Sequence, residues 1–134
     1  MERRLLQITV AILGLAPVGA GLAGVVLGPS MLNLWGGPAL DSHYRYLSGL
    51  LLGVGLAYWS AIPTIERAGE RFSLLTLLVV IGGLGRAISM LRFGPPGRAM
   101  GAALALELIV APLVYLWQMR VARTAAMDLP SPWR

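Results

Sequence analysis

Cysteine is missing from the 134 residues. That excludes disulfides, thiol nucleophiles and Cys-ligated metal or iron–sulfur centres. Histidine occurs once, as His43, too little for a protein metal site without carboxylate help. No metal and no cofactor are expected. Charge is also scarce, at 13% of residues against about 25% in a soluble chain. Lysine is absent, so all 11 basic residues are arginines. They stand mostly at the ends of apolar segments, with no basic run interleaved with aromatics. The net charge of +5 therefore does not point to nucleic acid. No Ser/His/Asp order, HExxH motif or acid pair is present, so catalytic residues are not expected and the chain does not read as an enzyme.

What the chain has in quantity is apolar residues, 57% of the total. A soluble fold of this length has no interior large enough to hide them. The pattern predicts an all-α membrane protein, one domain over residues 1–134 with four transmembrane helices at about 5–27, 43–62, 72–91 and 99–119. Each is close to the roughly 20 residues that a bilayer crossing needs. The first carries Pro17, which predicts a kink, and its length favours a retained helix over a cleaved signal peptide. Gly28 to Ser42 is expected as a loop, with Trp35 at headgroup level and Asp41-Ser42 as N-cap candidates. Pro63 stops the second helix, Gly94-Pro95-Pro96-Gly97 the third, and residues 120–134 read as a mobile tail.

Short connections imply an up-and-down bundle. Orientation follows from the arginines. One side collects Arg3, Arg4, Arg67, Arg71, Arg120, Arg123 and Arg134, the other Arg45, Arg92 and Arg98. Both termini are expected in the cytoplasm, with Tyr58, Trp59, Tyr115 and Trp117 at the inner boundary. Small residues recur every four positions at Gly49, Gly53 and Ala57, and again at Ala16, Ala20 and Gly24. Such rows let helix backbones approach in lipid, so Gly49, Gly53, Gly82 and Gly83 are expected as helix-packing positions.

Two charges fall inside the apolar segments, Arg86 and Glu107. Each costs about 2.5–3.5 kcal/mol to insert, which calls for a partner or a purpose. Counted from the Arg92–Arg98 turn, Arg86 lies about 9 Å deep and Glu107 about 13 Å. The two are expected to pair. Arg45 enters from the same side, with His43 and Ser89 near that level. A polar cluster of Arg45, Arg86, Glu107, His43 and Ser89 would carry a local surplus of positive charge suited to an anionic group.

These polar islands also carry a resemblance. His43-Tyr44-Arg45-Tyr46-Leu47 with Gly49, Gly82-Gly83-Leu84-Gly85-Arg86 with Ser89, and Glu107-Leu108 with Pro112 occur in that order. Over roughly Asp41 to Arg120 the chain resembles a family of small bacterial four-helix membrane proteins filed as domain of unknown function 4345. The resemblance implies a four-helix integral membrane fold of uncharacterised function and carries over no catalytic or cofactor residue; the expected location is the inner (plasma) membrane of a bacterium. The expected function is a non-catalytic module that binds a lipid or small hydrophobic anion, or an accessory subunit beside a membrane protein partner or a second copy. The alternative is a small oligomeric transporter or proton-coupled carrier that uses Glu107 and Arg86.

Overall fold

The computed structural model describes residues 1–127. Four helices are long and apolar enough to cross a membrane: α1 (Glu2–Leu27), α2 (Pro38–Ala61), α3 (Gly69–Phe93) and α4 (Arg98–Met127). The shortest, α2, has 24 residues, beyond the roughly 20 that a crossing needs. No strand occurs among the described residues. α1 runs through Pro17 as one continuous helix.

α1 and α3 each run two or three residues beyond the expected ends, and three larger differences stand out. α2 begins at Pro38, with Gly37 ahead of it in extended backbone and no side-chain cap. Proline suits a first helical turn because its missing N–H has no partner there anyway, so Asp41 and Ser42 fall inside the helix rather than capping it. A short 3-10 turn, Pro29–Leu32, occupies the middle of the expected loop. α4 continues through Met127, so residues 120–127 are helix rather than tail. The rest of the expected tail lies outside the described residues. Between α2 and α3 a 3-10 stretch, Ile62–Arg67, breaks at Thr64.

The chain divides into two compact units, Gln7–Pro63 and residues 1–6 with the chain from Thr64 onward. The first is the α1/α2 hairpin. Its register is read from its glycines. A Cβ on Gly14 would fall 2.2 Å from Nε1 of Trp59, one on Gly21 2.5 Å from the backbone nitrogen of Leu52, and one on Gly28 2.7 Å from Nη2 of Arg45. The three glycines are spaced by seven, and so are Arg45, Leu52 and Trp59 running the other way. Seven is the repeat that keeps one seam of two helices in register. The helices are therefore antiparallel, with a notch on α1 opposite each larger residue on α2. Trp59, expected as a boundary aromatic, lies over Gly14 and donates to the Ala11 carbonyl at 3.1 Å. Gln7 donates to the Ile62 carbonyl at 2.8 Å near the end of the seam.

In the second unit α3 and α4 are likewise antiparallel, since Gly83 lies against Leu108 and Gly69 near Gln118. Leu6, Ile65, Phe72, Leu75 and Val121 form its buried apolar set, at the end that carries the N-terminus. Gln118 is buried there as well and donates to the Ile65 carbonyl at 2.8 Å. Two ion pairs mark the same end, Arg3–Glu66 at 2.8 Å and Arg120–Glu2 at 3.2 Å.

Candidate functional site

The polar residues expected in one cluster fall into two sets. His43 and Arg45 belong to the first unit, and Arg86, Ser89 and Glu107 to the second. Each set has its own local cause.

In the second unit Arg86 and Glu107 meet. Nε of Arg86 lies 3.0 Å from both carboxylate oxygens of Glu107, and Nη1 donates to the sulfur of Met100 at 3.1 Å. The Glu107 side chain is 17% exposed and that of Arg86 37%. Two features bring them within reach. Gly83, one turn before Arg86, is buried where a Cβ would come within 2.9 Å of Glu107 Cβ and 2.7 Å of Leu108 Cδ2. Glu107 itself sits in a π turn, Leu106–Val110, inside α4. There the Ala111 N–H reaches back to the Leu106 carbonyl, and Pro112, next in line, has no N–H to offer. The regular helix ladder is thus interrupted at the residue that carries the half-buried charge. π turns recur at functional positions. The proline was visible in the sequence, but the wider turn ahead of it was not.

The remaining members of the expected set are placed differently. Ser89 is exposed on α3, and His43 is exposed at the start of α2. Of the packing glycines, Gly83 is buried in the α3/α4 contact. Gly49 touches Val25 only at ordinary distance, and Gly53 and Gly82 have nothing within 4 Å. The seam of the first hairpin uses Gly14, Gly21, Gly24, Gly28 and Gly55 instead, and of these Gly24, where a Cβ would fall 2.2 Å from Oγ of Ser48, belongs to the expected Ala16, Ala20 and Gly24 row. Gly55 lies against the backbone of Val18 and the ring of Pro17, which a search for four-residue spacing passes over.

In the first unit Arg45 is held by its own hairpin. Its Nε donates to Asp41 Oδ2 at 2.9 Å, an i,i+4 pair on α2. Its Nη1 donates to the Val26 carbonyl at 3.0 Å and also to that of Val25. These are last-turn carbonyls of α1, groups that no helix N–H satisfies and that form the negative end of the helix dipole. Arg45 therefore caps α1 from α2. Gly28 makes this possible in two ways. Its φ of 70° is left-handed, and the space a Cβ would fill lies 2.7 Å from Nη2 of Arg45 and 2.9 Å from Oδ1 of Asp41. The expected surplus of positive charge omitted Asp41, which offsets Arg45 directly.

Beside this pair is a groove of about 200 Å³ lined by Leu27, Pro29, Ser30, Leu34, Trp35 and Gly36 with Asp41 and Arg45. Trp35 is 86% exposed. A larger but shallower depression of about 490 Å³ lies along α3 at Glu70, Ser73, Leu74 and Leu77, with Tyr115 from α4. Sequence reasoning had singled out neither. Among the described residues no group of acidic or imidazole side chains could hold a metal ion.

Fold and site together define a class: a four-helix membrane protein whose two hairpins each carry an arginine–carboxylate pair of their own. The chain belongs to the family described as Domain of unknown function (DUF4345), whose model matches residues 5–118. The match takes in α1, which the motif resemblance had left out. No curated protein and no solved structure matches the chain.

Proposed function

We propose that the protein is a non-catalytic module of a bacterial inner membrane that holds a lipid at the Arg45 groove. The observation that supports this most is the state of Arg45. Its guanidinium is fixed by Asp41 and by the carbonyls of α1, yet Nη2 has no partner among the described residues. A fixed arginine with donors to spare, beside an apolar groove and an exposed tryptophan, suits a phosphate-bearing headgroup. The arginine imbalance supports placing both ends in the cytoplasm, with the groove at the opposite surface. Gly53 and Gly82, which nothing covers within 4 Å, are positions where a partner helix or a second copy would approach.

The experiment is lipid retention. The full chain is purified from mixed-lipid membranes, washed with detergent and weighed intact by native mass spectrometry. One retained phospholipid per chain is expected, lost in Arg45→Gln and reduced in Trp35→Ala, with helix content unchanged by circular dichroism. A wild-type chain that keeps no lipid contradicts the proposal.

A second reading, a small oligomeric carrier using Glu107 and Arg86, draws on the π turn beside Pro112, because interrupted helices with buried charge recur in transporters. Proton or solute flux in liposomes that is abolished by Glu107→Gln would favour it. Flux unchanged by that substitution rejects it.

A further inference from the structure

The groove beside Arg45 is lined by two charged groups of opposite sign, Arg45 and Asp41. Nε and Nη1 of Arg45 are occupied, and Asp41 Oδ2 is occupied by Nε. Nη2 of Arg45 and Oδ1 of Asp41 have no partner among the described residues. The two stand close together against Gly28, since a Cβ there would fall 2.7 Å from the first and 2.9 Å from the second. One donor and one acceptor, each on a charged group, thus stand side by side in the wall of the groove. The surroundings are apolar at Leu27, Pro29 and Leu34, and aromatic at Trp35.

We propose that this groove selects the headgroup of a zwitterionic phospholipid, a phosphoethanolamine in particular. This rests on the lipid-binding reading above and names the headgroup class. The phosphate accepts from Nη2 of Arg45, and the ammonium donates to Oδ1 of Asp41 beside the Trp35 ring, where a cation gains a further attraction. An anionic headgroup without an amine meets the Asp41 carboxylate with nothing to offset it. A soluble amine phosphate has no use for Leu27 and Leu34. The occupant is therefore the lipid rather than its free headgroup.

The test uses the full chain in vesicles holding equal parts of phosphatidylethanolamine and phosphatidylglycerol, extracted and weighed by native mass spectrometry. The ethanolamine lipid is expected to be retained about tenfold over the glycerol lipid, the size of effect that one charge-assisted contact gives. Asp41→Asn should invert that preference, because Arg45 is then left unopposed. A purely structural Asp41 would lower both lipids alike and leave the ratio unchanged. Equal retention of the two lipids by the wild type overturns the headgroup assignment while the lipid-binding reading stands. Loss of all lipid from the wild type removes both. Soluble phosphoethanolamine at millimolar concentration should fail to displace the lipid, and displacement by it would contradict a lipid occupant.

Discussion

The two hairpins solve the problem of helix contact in lipid by different means. In the first, contact is set by shape. Gly14, Gly21 and Gly28 form notches every seven residues, and Trp59, Leu52 and Arg45 stand opposite them. In the second, one buried glycine, Gly83, lets α3 and α4 approach, and the Arg86–Glu107 pair stands one turn away. Lipid tails are as apolar as leucine, so neither hairpin gains from hydrophobic burial as a soluble bundle does. Close packing and polar contacts must supply the association instead. The first hairpin therefore tolerates little added volume along its seam. The second tolerates little change of charge.

That contrast is sharpened by substitutions of graded severity, read as the shift in unfolding midpoint on titration with a denaturing detergent. Gly21→Leu is expected to be the most damaging, because its Cβ would fall 2.5 Å from a backbone nitrogen that has no rotamer by which to escape. A loss above about 3 kcal/mol is expected. A mild effect would show that the α1/α2 register is wrong. Gly83→Ala follows at about 2 kcal/mol, since Leu108 can swing aside but Glu107 Cβ, 2.9 Å away, moves only with its helix.

Arg45→Gln is expected to cost about 1–2 kcal/mol, the value of a cation at the end of a helix. Its effect should be seen as faster amide exchange in the last turn of α1. Unaltered exchange at Val26 and Leu27 would remove the capping role. Gly53→Ala and Gly82→Ala form the lower bound. With nothing within 4 Å of either, the isolated chain should gain about 0.5 kcal/mol from better helix propensity. A loss there instead would reveal a neighbour that covers these faces.

Much of the fold was legible because insertion into lipid demands long apolar runs. The four spans and the loops between them follow from hydropathy and the Gly/Pro punctuation. So did the meeting of Arg86 with Glu107, since few arrangements leave two opposite charges at similar depth apart. The seam of the first hairpin was found only at Gly24, because a glycine-rich chain offers many small-residue rows. Gly49 and Gly53 have the familiar four-residue spacing, while Gly14, Gly21 and Gly28 at seven pass for ordinary membrane glycines. Nothing in one helix says which row faces the other. The start of α2 was missed for a local reason, because Gly36-Gly37-Pro38 reads equally well as a loop or as a break followed by proline at a first helical turn. The charge beside Arg45 was misjudged through that same error. With Asp41 placed outside the helix, its i,i+4 pairing with Arg45 was invisible, and the local charge was counted as positive.

Charge pairing holds α3 against α4, and a double-mutant cycle on Arg86 and Glu107 measures it directly. Arg86→Leu and Glu107→Leu should each cost about 3 kcal/mol by stranding the other charge, and the double variant should cost no more than either alone. Losses that simply add would contradict the pairing.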